Sequence, residues 1–147
     1  MTPLTGPALT PPQKRLVRES FESASYYSVA LTKLFYGRLF ELEPTVRPLF
    51  KSNLEEQSLK LLDMLRTVVD ALDRFEEVRP LLVELGRKHV TYGTRPEHYE
   101  VVSKALLWAL SQALEIEYDG ETKKAWDQML RAISAAMLEG AASGPLS

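Results

Sequence analysis

The chain has 147 residues, 45% hydrophobic and 26% charged, with a net charge of -2 and no cysteine. That length suits one domain able to bury about 68–70% of its unfolded surface, and the charge balance offers no footprint for nucleic acid or an anionic membrane. Without cysteine there are no disulfides, thiolate metal sites, iron–sulfur clusters, cysteine nucleophiles or thioether-linked haem, and a cytoplasmic location is expected.

The first twelve residues, MTPLTGPALTPP, hold four of the nine prolines. They lack the basic start and apolar stretch of a signal peptide. Residues 1–10 are therefore expected to form a flexible tail, as are 141–147 at the other end, leaving one domain over 11–140. No apolar run reaches the roughly 18 residues that would mark a membrane span.

Between the tails the apolar period is helical throughout. Thr10 with the following prolines starts a helix carrying Leu16, Val17, Phe21 and Ala24 on one face. A second helix carries Val29, Leu34, Phe35, Leu39 and Phe40 and must stop before Pro44. PTVRPLF, with two prolines in five residues, predicts a short tight helical turn. A third helix is expected over about Leu54 to Leu72, on Leu61, Leu65, Val68 and Leu72. A fourth runs from about Phe75 to His89, on Val78, Leu82 and Leu85. Pro96 starts a fifth, with Val102, Leu106, Ala109 and Ala113, which EYDGET breaks. The last helix holds Trp126, Met129, Leu130, Ile133 and Met137. Six long helices and a short one make an all-α domain.

The stripe Val78, Leu82, Leu85 reaches His89 at its next step, so this imidazole points inward. A buried imidazole needs a partner, and two readings stand: a core histidine bonded to a backbone carbonyl, or a metal ligand. His98, the other histidine, falls in the first turn of the fifth helix and off its apolar stripe, which predicts a surface or rim position. Gln57 lies four residues before Leu61 on the same face, either in an exposed first turn or facing a cavity, with Lys60 on its flank. Tyr36 lies on the inner side of its helix beside Phe35 and Phe40, and Phe50 closes the proline-rich turn. Together these describe an apolar pocket with one possible metal ligand opposite a Gln and a Tyr. Such a pocket suits a planar cofactor whose metal takes one protein ligand.

The motifs KHVTYGTRPEHY, LFYGRLFELEPTVRPLF, EEQSLKLLDML and KKAWDQML resemble those of globins, in particular bacterial single-domain globins and the globin part of flavohaemoglobins. The resemblance covers about Pro12 to Gly140. It implies the globin fold, a three-over-three helical sandwich, and non-covalent haem b. A proximal histidine is a property of that family, and by motif it falls on His89. Gln57 and Tyr36 become the distal donors and Leu61 the apolar neighbour above the iron. Phe50 stacks on the porphyrin, Lys60 meets a propionate, and Tyr99, Val102 and Leu85 complete the cofactor contacts. One departure stands out: flavohaemoglobins place a glutamate in the last helix against the proximal histidine. That position falls near Ala141, while Glu139 comes two residues early, about 200° around a helix. A backbone carbonyl, that of Leu85, is then the expected partner of the second His89 nitrogen.

The implied function is reversible binding of oxygen and nitric oxide at a pentacoordinate iron, with Tyr36 and Gln57 slowing ligand release. Nitric oxide dioxygenation would then fall to the same two residues, and since the sequence ends at Ser147 it would draw on a separate reductase. A haem-based sensor and a sulfide or oxygen scavenger are alternatives, and a cofactor-free helical interaction module is a remote one. No nucleic-acid or membrane partner is expected, and the chain should be a monomer or weak homodimer.

Overall fold

The computed structural model describes residues 9–50, 53–115 and 118–143; the tail segments 1–8 and 144–147 lie outside the described residues. Helix α1 (Pro11–Ser25) opens on a reciprocal cap. The Thr10 hydroxyl accepts the Gln13 N–H at 3.3 Å, and the Gln13 side chain accepts the Thr10 N–H at 2.9 Å. Leu9 is already buried in the core, so packed structure begins inside the stretch expected as tail. Helix α2 (Ser28–Leu42) ends ahead of Pro44, and a 3-10 helix (Pro44–Leu49) follows, as its prolines predict.

Helix α3 (Leu54–Asp70) starts at Asn53, whose side chain accepts the Glu56 N–H at 2.8 Å. A second 3-10 turn (Leu72–Arg74), which the periodicity does not reveal, takes Leu72 out of α3 but keeps it buried. Helix α4 (Phe75–Thr91) and helix α5 (Pro96–Leu114) flank the corner around Gly93, whose φ of 94° is left-handed. Helix α6 (Gly120–Ala142) begins where Asp119 accepts the Thr122 N–H at 2.8 Å, and it runs past the expected boundary at residue 140. No strand occurs among the described residues, and no described helix is long and apolar enough to cross a membrane.

The contacts sort these helices into two layers. In one, α3 packs beside both α1 and α4; in the other, α5 packs beside α2 and α6. The layers meet mainly through α4 on α6 and α1 on α6, giving the expected three-over-three sandwich. Trp126 of α6 is fully buried, and its indole N–H donates to the Ser20 hydroxyl of α1 at 2.8 Å. Ser20 passes the bond on to the Leu16 carbonyl at 2.5 Å, so no polar atom of that buried pair is left open. At the surface, Asp73 joins the second 3-10 turn to Lys14 at 2.8 Å and Arg18 at 3.0 Å on α1.

One sequence expectation fails here. Val29 was placed on the inner face of α2, yet it is 67% exposed. It lies in the first turn, just ahead of buried Leu31 and Thr32, so face alone does not decide burial.

Candidate functional site

Along α4 the apolar stripe grades from buried Leu82 to half-buried Leu85 and His89. The His89 Nδ1 lies 2.7 Å from the Leu85 carbonyl oxygen. A carbonyl can only accept, so Nδ1 carries the proton and donates it, leaving Nε2 as the nitrogen with the lone pair. Burial lowers the pKa of His89 below its ordinary value, partly offset by that carbonyl, so the ring is neutral at neutral pH. The backbone around it is tied down as well: the His89 carbonyl accepts the N–H of Tyr92 at 3.1 Å and of Thr94 at 3.0 Å.

A second group forms around Tyr36 on α2. Its ring contacts those of Phe35 at 4.9 Å, Phe40 at 6.0 Å and Phe50 at 5.4 Å, while Arg47 covers Phe40 at 5.1 Å. Tyr36 is buried, and desolvation pushes its pKa up to about 12 against an opposing hydrogen bond with Ser58. Its hydroxyl therefore keeps its proton over the whole neutral range. Ser58 in turn donates to the Leu54 carbonyl at 2.7 Å. This places the first turns of α3, with half-buried Gln57 next in sequence to Ser58, at the Tyr36 edge.

The other predicted residues divide. Leu61, Phe50, Leu85, Tyr99 and Val102 are partly buried against the core, from α3, α4, α5 and the end of the first 3-10 turn. Lys60 is exposed and forms no ion pair among the described residues. The Tyr99 hydroxyl is buried without a hydrogen-bond partner, and burial raises its pKa.

His98 corrects the sequence reading. It is 5% exposed instead of lying at the rim, and its Nδ1 accepts the Arg95 N–H at 3.0 Å. It thus satisfies one free donor at the start of α5. Its place three residues into a helix, where Glu or Gln closes a capping box, was the available signal. Glu139 also finds a role apart from His89: its carboxylate bonds the Arg79 guanidinium. Since α6 stays helical through Ala142, Glu139 does not take the place that the resemblance gives to residue 141.

Sequence reasoning missed two glycines. Gly86 of α4 and Gly140 of α6 are buried where those helices cross; an isolated Gly inside a strongly periodic helix was the signal. A surface depression of about 670 Å³ between Tyr27, Ala30 and Leu34 and the end of α5 shares no residue with the His89 set.

No group of three or more His, Asp or Glu side chains converges among the described residues, so the protein offers an iron one imidazole and not a cage. A macrocycle would have to supply the rest. The half-buried apolar set offers surface for a flat ring to cover, and the residues fit.

The family model described as Globin matches residues 33–137. Neuroglobin-2 of Oncorhynchus mykiss is 30% identical over 146 residues, 90% of this chain and 92% of that protein. Neuroglobin of Danio rerio is 28% identical over the same coverage. Flavohemoprotein B of Dictyostelium discoideum is 25% identical over 126 residues, 85% of this chain but 30% of that longer protein.

Proposed function

The chain belongs to the globin family, and from that premise we propose that it holds haem b and binds oxygen or nitric oxide reversibly. The observation that carries the proposal is the His89 imidazole, neutral and half-buried, with Nδ1 engaged by the Leu85 carbonyl and Nε2 left to act as a ligand. When bound, haem would supply an iron able to bind a small diatomic ligand, with His89 as the residue that would hold it.

The chain's own residues divide the remaining work. His89 is the proximal ligand, oriented by Leu85 as second-nitrogen partners orient metal-bound histidines. Phe50, Leu85, Tyr99 and Val102 cover the ring, and Lys60 meets a propionate. Tyr36 and Gln57 are the donors to the diatomic ligand, with Leu61 as the apolar neighbour that keeps water out. A donor to a ligand carrying partial negative charge contributes about 1.5–3 kcal/mol in such a setting. Two additive donors slow release on the order of 100-fold, since 1.4 kcal/mol is tenfold. Tight binding favours scavenging or detoxification over delivery.

A second reading is oxidation of nitric oxide by oxygen to nitrate, and the likeness to Flavohemoprotein B favours a reductase as partner. Nitric oxide, oxygen and one electron make one nitrate, so a reductase would have to supply that electron at each turnover. Haem titration tests the first reading: uptake of one equivalent with a strong Soret band is expected, and a protein that takes up no haemin overturns it. Sustained nitric oxide consumption with a reductase, and nitrate as product, tests the second.

A further inference from the structure

Gly86 lies within α4 and Gly140 within α6, neither of them at a turn. A Cβ at Gly86 would sit 1.8 Å from the Met137 carbonyl oxygen, and one at Gly140 would sit 1.8 Å from the Val83 carbonyl oxygen. The contacts are reciprocal. Val83 and Gly86 are three residues apart on α4, Met137 and Gly140 three apart on α6, so each pair shares one helix face. The two backbones touch directly, and any side chain at either glycine must push the helices apart. The Arg79–Glu139 pair joins the same two helices at the surface, where a half-exposed ion pair adds little to the backbone contact.

His89 follows Gly86 by three residues, about 4.5 Å along the helix axis. The Leu85 carbonyl that orients its imidazole belongs to the peptide unit leading into Gly86. The pairing of α4 with α6 is the most extensive in the molecule, while the contacts of α4 with α3 are sparse. We infer that Gly86 and Gly140 are positioning residues for His89: their backbone contact makes α6 the reference against which the proximal imidazole is held. This rests on His89 being an axial ligand, as proposed above.

The test compares the iron–histidine stretching band of the haem-loaded wild type with that of Gly86→Ala and Gly140→Ala. Gly37→Ala is the control, because a Cβ at Gly37 meets nothing within 4 Å. A displaced band is expected in the first two variants and an unmoved one in the control. In His89→Gly protein filled with free imidazole, the ligand is no longer attached to α4, so adding Gly86→Ala should leave the iron–imidazole band in place. Folded, loaded alanine variants with the wild-type band overturn the inference, as does a displacement that persists with free imidazole. Should the alanine variants fail to fold, hydrogen exchange on the wild type decides, and it requires no haem. Amides at 85–89 and 137–140 exchanging through one shared opening support the inference, and independent openings overturn it. Failure of the wild type to bind haem is a separate outcome, and it refutes the functional proposal.

Discussion

The Nδ1 of His89 donates to the carbonyl oxygen of Leu85, 2.7 Å away and one turn earlier in the same helix. The bond is neutral and local to α4. A carboxylate in that place would make the imidazole a stronger electron donor; a carbonyl holds its orientation with less push. The single acidic side chain near the expected position, Glu139, is taken up by Arg79.

Glu139→Gln is therefore expected to leave the iron–histidine stretching frequency of the ferrous protein unchanged. Resonance Raman spectroscopy measures it directly. A clear drop would mean that Glu139 acts on His89 after all.

The two histidines should fail differently. His89→Ala is expected to abolish stable haem binding or to leave only binding rescued by added imidazole, read from the Soret band. His98→Ala should retain haem but lose about 1 kcal/mol of stability, the usual cost of a lost cap, measured by urea unfolding. The opposite pattern would reverse the assignment.

For the two proposed donors, Tyr36→Phe and Gln57→Leu should each speed oxygen dissociation by about tenfold or more, on the donor strengths given above. Stopped-flow displacement by carbon monoxide measures the rates. Because burial pushes the Tyr36 pKa up to about 12, the Tyr36 contribution should not vary between pH 6 and pH 9. Unchanged rates in both variants would remove these residues from ligand binding.

Stability should depend on pH through His89. Burial lowers its pKa in the folded state below the ordinary 6.5, so the unfolded chain binds the proton more readily. The sign follows from linkage: stability is fully present above about pH 6.5 and is lost as pH falls toward the lowered native value. Protonation also removes the lone pair that a metal requires, and since bound iron would compete with the proton for Nε2, haem should be released only at still lower pH. Unfolding of wild type and His89→Gln across pH 4–8 isolates this contribution, and parallel curves would eliminate it.

Ser20→Ala should destabilise the protein by about 1–3 kcal/mol, because it leaves the buried Trp126 N–H without an acceptor. Trp126→Phe combined with Ser20→Ala should cost less than the sum of the two single changes. Additive losses in this double-mutant cycle would show that the two groups are not coupled.

Local sequence determined much of this protein. Pro44, Pro96 and the capping residues Thr10, Asn53 and Asp119 mark helix ends, because their effects on backbone conformation act within three or four residues. The leucine step that carries His89 inward is equally local, since i, i+4 spacing places side chains on one face whatever lies beyond. Even the Leu85 partner was legible, being one turn away on the same helix. What only the tertiary structure decided depends on a second helix. His98 is buried because packing covers the start of α5, while Val29 stays exposed although Leu31 and Thr32 just after it are buried. Glu139 binds Arg79, and the Gly86 and Gly140 backbones touch, only because α4 lies across α6 in this register. Periodicity tells a side chain which way to face; the neighbouring helix determines what it meets there.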